Sequence, residues 1–375
     1  MAVWRSVCAA AFAVGMLAAG TTIALADDYA PPTNIPLLPD SEMKNIGPHG
    51  EASSEAADVL KLMTPEDREK IRAGNFKAAI IWYTSAPFFK AVDSGLQEVL
   101  GDLKIEIVAE SVYEFDAQRY KSQVETVLAK KPDVIFTISA DPVAAAAALK
   151  PALDAGVKVA VLSNPPAGWQ AGKEYIGVVT GNPFNQGKWA ADMLANAVGK
   201  KGDVGLIYHD ASFYVTNLRD RVLKTTLVNE YPDVHILQEK GFSDPAQAQE
   251  LTTAMLTQNP SITAIYAAWD TVAEGVVAGI RDAGRPDVKV VTMDLGLNNV
   301  LNMVQNQQVV GITCEITYQL GTTLATEAGL ALIGKSVPPF ANTGAIACTR
   351  DNIEECWQTV FHEPLPDRIK TQLSK

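Results

Sequence analysis

The chain lacks the short motifs that announce most enzyme chemistries. It has no H-E-x-x-H, no G-x-S-x-G, and no G-x-G-x-x-G placed after an apolar run. A zinc protease, a serine hydrolase with a nucleophile elbow and a dinucleotide fold are therefore not indicated. Residues 181–188, G-N-P-F-N-Q-G-K, resemble a phosphate loop. The spacing is one residue too long, however, and Trp189 stands where Ser or Thr must hold magnesium. Histidine is scarce: His49, His209, His235 and His362 are dispersed along the chain. Cysteine is scarce too, with Cys8, Cys314, Cys348 and Cys356 and no C-x-x-C pair, so a structural zinc site is excluded. No metal or cofactor is expected. Positive charge is in deficit, with 31 Lys and Arg against 43 Asp and Glu and a formal net charge of −12, which speaks against nucleic acid as a partner.

Long hydrophobic runs are also few. One fills residues 7–17, Arg5 is the only charge before Asp27, and Ala24-Leu25-Ala26 fits a small-x-small cleavage site. The first 26 residues thus read as a secretory signal cleaved near Ala26. Cys8 lies too early for a lipoprotein cleavage site, so the mature chain is expected to be soluble and not lipid-anchored. In an oxidising compartment Cys348 and Cys356, close in sequence, are the expected disulfide. Cys314 ends an apolar run and reads as a buried free thiol.

What remains is plentiful: 375 residues, 47% of them hydrophobic, enough for two packed lobes. Residues 27–57 are rich in Pro, Gly, Ser and acids and read as an extended arm. A short helix follows over residues 64–74, with Thr64 as N-cap, Pro65 at the first position and Gly74 as the stop. From residue 77 onward apolar runs alternate with helical patterns. Strands are expected over 78–82, 105–108, 134–138, 157–162, 175–179, 204–208, 234–238, 263–267, 288–293 and 309–314. Helices are expected over 88–100, 117–129, 142–153, 184–197, 216–229, 245–258, 271–283, 297–305 and 318–332. Regular βα repetition means parallel sheets with helices on both faces, and this many units exceed one comfortable sheet. The fold class is therefore α/β, with parallel sheets divided between two lobes.

Open α/β sheets bind ligands beyond the carboxyl ends of their strands, so those ends carry the functional information. The stretch K-A-A-I-I-W-Y-T-S-A-P-F-F-K-A-V over residues 77–92 is a buried strand, a turn and a helix start bearing Phe88 and Phe89, with Tyr83 at the turn. These two aromatics either wall a ligand site or pack their helix on the sheet. Other strand ends supply Ser163 and Asn164, Arg219 and Arg221, Trp269 and Asp270, Asp294, and Glu315. Asp294 and Glu315 follow the apolar strands V-V-T-M-D and V-G-I-T-C-E. A carboxylate so placed accepts hydrogen bonds from vicinal hydroxyls, while aromatic faces cover the C–H faces of a sugar ring. The alternative for each acid is the N-cap of the next helix or a surface charge. Trp169, in a Pro/Gly loop, is a candidate lid residue or a surface-loop side chain.

From residue 77 to about 342 the chain resembles the periplasmic solute-binding proteins of ABC importers, in the ribose-binding or type I sugar-binding family. The segments that carry the likeness are A-P-F-F-K-A-V-D-S-G, K-P-D-V-I-F-T-I-S-A-D-P-V, A-G-V-K-V-A-V-L-S-N, L-T-Q-N-P-S-I-T-A-I-Y-A-A-W-D-T-V-A-E-G and D-V-K-V-V-T-M-D. The resemblance implies two flavodoxin-like lobes joined by a hinge of three crossovers, expected near 180–182, 315–316 and 341–343. It divides the mature chain into an N-terminal lobe (77–180 plus 316–342) and a C-terminal lobe with its tail (181–315 plus 343–375), after the arm and short helix (27–76). It implies a monomer in the periplasm that closes on a small hydroxylated solute and presents it to a membrane permease. A sensory binding protein docking on a receptor, and an exported carbohydrate-acting enzyme using Asp294 and Glu315, are the alternatives. Carried over by position, the family's stacking aromatics fall on Phe88 and Phe89, its second-lobe arginine on Arg221 with Arg219 as rival, its strand-end aspartate on Asp294, and its hinge amide on Glu315. The family's first-lobe Asp-Arg pair is Ser163-Asn164 here, its usual Asn is Trp269, and its polar residue before Pro-Phe-Phe is Ala86. A pentose, hexose, polyol or cyclitol, or a cationic solute, remains open as the ligand.

Overall fold

The computed structural model describes residues 34–374. The expected signal sequence lies outside the described residues. The strands are β1 (Ser54–Glu55), β2 (Lys77–Trp82), β3 (Glu106–Val112), β4 (Val134–Thr137), β5 (Lys158–Leu162), β6 (Val178–Thr180), β7 (Gly202–His209), β8 (Val234–Phe242), β9 (Ile262–Ala267), β10 (Lys289–Met293), β11 (Val309–Glu315), β12 (Phe340–Asn342) and β13 (Ala345–Cys348). The helices are α1 (Ala56–Lys61), α2 (Pro65–Ala73), α3 (Pro87–Asp102), α4 (Ala117–Leu128), α5 (Pro142–Asp154), α6 (Pro183–Ala197), α7 (Tyr214–Glu230), α8 (Ala248–Gln258), α9 (Asp270–Asp282), α10 (Leu297–Val304), α11 (Thr317–Leu332), α12 (Ile353–Phe361) and α13 (Asp367–Leu373).

Two sheets result, one in each lobe. The first runs β1-β12-β6-β5-β4-β2-β3 and the second β13-β11-β10-β9-β7-β8. Every pairing is parallel except β11 with β13. The chain passes between the sheets three times: between β6 and α6, between β11 and α11, and between β12 and β13. The central strands β4 and β10 are buried almost end to end, as their continuous apolar runs require of parallel strands covered on both faces.

In the first lobe α3 and α11 touch backbone to backbone. A Cβ on Gly95 would sit 2.1 Å from the Tyr318 carbonyl oxygen, and one on Gly321 would sit 2.0 Å from that of Val92. Only glycine allows this approach. It binds α11, reached from the second sheet, to the first lobe and so anchors one crossover. The Cys348–Cys356 disulfide is formed and ties β13 to α12, while Cys314 is free and buried.

The arm differs from the plain extended segment expected. It supplies β1 to the edge of the first sheet, beside β12. Further back it lies on the second lobe. The Leu38 N–H donates to Thr225 Oγ1 at 2.9 Å, the Lys224 ammonium donates to the Ile35 carbonyl at 2.7 Å, and Ile35 and Leu38 are buried. The Tyr214 hydroxyl donates to the Ile46 carbonyl midway. The arm therefore straps the two lobes together. Two other boundaries shifted. Residues 245–247 form a 3-10 turn, so α8 starts at Ala248, and the strand expected at 175–179 is the shorter β6. The short helix after the arm formed as expected, closed by a reciprocal cap between Thr64 and Asp67.

Candidate functional site

The carboxyl ends of strands from both sheets face one another across a cavity of about 240 Å³. The first lobe lines it with Tyr83, Phe88, Phe89, Phe115, Ser163 and Asn164. The second lobe contributes His209, Phe213, Thr216, Arg219, Trp269, Asp270, Asp294 and Glu315. Both lobes thus give aromatic surface, while the charge comes from the second. The lobes also touch directly, since the Val215 N–H donates to Asn164 Oδ1 at 3.3 Å.

Phe89 serves both readings offered by the sequence. It is buried, with its ring 5.4 Å from Trp82 and 4.9 Å edge-on from Tyr83, and it still reaches the cavity. Phe88 stands beside it, edge to face at 5.0 Å. The capping alternative fails for Asp294 and Glu315. The N-caps of α10 and α11 are Gly296 and Ile316, and neither helix has a side-chain cap bond. Asp270, in the first turn of α9, is partly spent locally, accepting from the Thr271 N–H at 2.7 Å. Ser163 and Asp294 both adopt left-handed backbone, φ 59° and 64°. Such conformations are costly for non-glycine residues, and they gather where the chain must aim a side chain.

Arg219 is the cation of this group. It is 3% exposed, with Nη1 3.7 Å from Glu315 Oε1 and 3.9 Å from Asp294 Oδ2. These are ion-pair separations, too long for hydrogen bonds. Its one protein hydrogen bond among the described residues runs from Nη2 to the Ala268 carbonyl at 3.3 Å. Burial works against the guanidinium, but Asp294 and then Tyr266 and Glu315 hold its pKa above the ordinary value. Glu315 is pushed up to about 7 by burial and by Asp294, and Asp270 to about 7 by the same two causes. Burial likewise raises Asp294, against the pull of Arg219. His209 is lowered to about 4 by burial and by Arg219, so it is neutral. Arg219 Nε, Glu315 Oε2 and Asn164 Nδ2 are buried with no hydrogen-bond partner among the described residues. Buried polar atoms left unpaired cost about 1–3 kcal/mol each, which a ligand with matching hydroxyls recovers.

Two sequence assignments are corrected. Arg221 does not line this cavity; it lies 3.7 Å from Glu42 of the arm, beside a second hollow of about 350 Å³ under the strap. Residues two positions apart on a helix are separated by about 200°, so Arg219 and Arg221 of α7 must face opposite ways. Trp169 is no lid. It is 9% exposed and packs in the first-lobe core with Tyr175 and Phe340. The remaining candidates, Tyr83, Phe88, Phe89, Ser163, Asn164, Arg219, Trp269, Asp270, Asp294 and Glu315, all line the cavity. Sequence reasoning passed over His209, although it ends the apolar run G-L-I-Y-H just as Asp294 ends V-V-T-M. It also passed over Phe115 and Phe213, which sit in connecting segments without periodicity.

Residues 78–336 match the family model for the periplasmic binding protein domain. The chain belongs to the periplasmic binding protein family. It is 24% identical over 211 residues to a D-apiose import binding protein of Actinobacillus succinogenes, an alignment covering 56% of this chain and 66% of that one. It is 29% identical over 177 residues to a D-ribose/D-allose-binding protein of Pseudomonas aeruginosa, covering 46% and 54% respectively. The chain thus spans between half and two thirds of the length of these curated relatives. In structure it is similar to an ABC transporter solute-binding protein from Agrobacterium vitis bound with α-D-tagatopyranose. That match has a TM-score of 0.70 and 22% identity, and covers 77% of this chain and all of that one. These relatives are named as binding proteins and not as enzymes.

Proposed function

We propose that this periplasmic binding protein captures a small hydroxylated solute, a sugar or polyol, between its lobes and delivers it to the permease of an ABC importer. The observation that carries the reading is the convergence of Phe88 and Phe89 from one lobe with Arg219, Asp294 and Glu315 from the other on one cavity. A cavity of about 240 Å³ suits a monosaccharide-sized guest. The aromatic wall covers C–H faces, and the carboxylates and guanidinium take hydroxyls. The curated relatives named for apiose, ribose and allose support the class of solute.

Closure follows from differential affinity. A guest touching both lobes favours the state in which they meet, and binding shifts the population toward it. No bond is made or broken. Export by cleavage of the first 26 residues would place the protein in the periplasm, where a permease can meet it. Trp269 and Trp82 lie in or against the cavity wall, so tryptophan fluorescence reports occupancy. Titration with a panel of pentoses, hexoses, polyols and cyclitols, cross-checked by thermal melting, is expected to find one that binds at micromolar concentration or below. If no member of the panel binds, the proposed solute class is wrong.

A further inference from the structure

The charges lining the cavity do not balance. Three carboxyl groups, Asp270, Asp294 and Glu315, face one guanidinium, Arg219, and the lining contains no lysine. Asp220 adds a fourth acid behind Arg219, but it is engaged by the Tyr266 hydroxyl at 2.6 Å. A neutral sugar would leave this imbalance in place. The remaining walls are those of a cation site. Tyr83, Phe88, Phe89, Phe115, Phe213 and Trp269 line it, and aromatic ring faces attract a positive nitrogen. Glu315 is 3% exposed and lines the cavity, and its Oε2 has no hydrogen-bond partner among the described residues. Among the described residues no group of acids or histidines has the spacing to hold a metal ion.

We propose that the solute carries an ammonium beside its hydroxyls, as an amino sugar or amino polyol does, with the nitrogen held by Glu315, Asp294 and Asp270 and the carbon skeleton against Trp269, Phe88 and Phe89. This rests on the reading of the cavity as the solute site. Below about pH 7 the excess acids keep protons in the ligand-free protein, because Glu315 and Asp270 titrate near 7. An ammonium displaces those protons; a neutral polyol does not. The groups facing the acids are Arg219 from α7, Tyr83 from the end of β2, Tyr266 of β9, Cys314 of β11 and Glu274 from α9, with His209 at the end of β7 beside Arg219. Of these His209 is already neutral above pH 5, and Arg219 stays charged throughout.

The test uses matched pairs on the mature protein: D-sorbitol against 1-amino-1-deoxy-D-sorbitol, and neutral against aminated forms of common hexoses and pentoses. In at least one pair the amine is expected to bind ten or more times tighter at pH 7.5. Its affinity should rise about tenfold per displaced proton between pH 6 and 8. Calorimetry in buffers of different ionisation enthalpy should show proton release. The isosteric changes Asp270→Asn and Glu315→Gln should each shrink the preference about tenfold while the melting transition remains cooperative. If neutral members bind as tightly as the amines, or amine affinity is flat from pH 6 to 8, the proposal is overturned and the sugar-binding reading stands. If no member of any pair binds, both fall.

Discussion

Replacing Arg219 by methionine tests whether one buried cation holds the second-lobe charge cluster together. Arg219 is 3% exposed and lies within 4 Å of both Glu315 and Asp294, at 3.7 and 3.9 Å. At an effective dielectric of about 20, each such pair is worth roughly 4 kcal/mol at this distance when fully charged. Desolvation offsets much of that in the intact site, but removing one partner leaves the others uncompensated, at a cost of about 3–5 kcal/mol. The cost depends on pH, and its sign follows from the raised carboxyls. Glu315 titrates near 7, so at pH 8 it is charged and at pH 5 it is neutral. Arg219→Met is therefore expected to lose about 3–5 kcal/mol at pH 8 and roughly 1–2 kcal/mol at pH 5, where mainly packing is lost. Arg221→Met, at a half-exposed position near Glu42, should lose under about 1 kcal/mol at either pH. Urea unfolding followed by tryptophan fluorescence measures all four values. Equal losses for Arg219→Met at the two pH values, or a larger loss for Arg221→Met, would refute the reasoning.

Four shorter predictions accompany it. A Cβ on Gly181 would meet the Glu315 side chain at 2.4 Å, so Gly181→Ala should weaken solute binding at least tenfold while shifting the melting temperature little; unchanged affinity would mean Glu315 is not a ligand group. Glu327 is 1% exposed on α11, neither carboxyl oxygen has a hydrogen-bond partner among the described residues, and burial drives its pKa far up. Glu327→Met, of similar volume, should stabilise by about 1–3 kcal/mol at neutral pH, and a lower melting temperature would count against this. The ligand-free protein holds protons on Asp270 and Glu315 that the unfolded chain has released, so these groups make stability fall as pH rises from 5 to 8, by roughly 3 kcal/mol per group; the slope should flatten in a double Asn and Gln variant, and an unaltered slope would contradict it. Deleting residues 27–53 removes the strap that joins Thr225 and Lys224 of the second lobe to β12 of the first, so solute affinity should fall several-fold as the open state gains population; isothermal titration giving the same affinity would show that the strap does not bias closure.

Much of this architecture could be read from the chain because buried parallel strands leave a strong mark. A run such as V-V-T-M-D shows both the strand and the acid at its carboxyl end, so Asp294 and Glu315 could be located before their neighbours were known. Three features resisted for physical reasons. Choosing between Arg219 and Arg221 needs the rotation of α7, which is set by Leu218 and Val222 packing toward the arm. The arm itself has no periodicity, because it is held by single side chains and backbone groups reaching it from the second lobe. Trp169 sits in a Pro/Gly loop whose composition suggests exposure, yet the loop folds back onto the first-lobe core. His209 was missed only because histidine was weighed for metal spacing and not for its place at the end of β7.

The most direct test is a crystal structure of the mature protein with the solute that titration or mass spectrometry finds it to retain. The account predicts that guest between the lobes, ringed by Phe88, Phe89 and Trp269, with hydrogen bonds from Arg219 and to Asp294 and Glu315. A guest seated instead in the hollow beneath the arm, or on the outer face of either lobe, would contradict it.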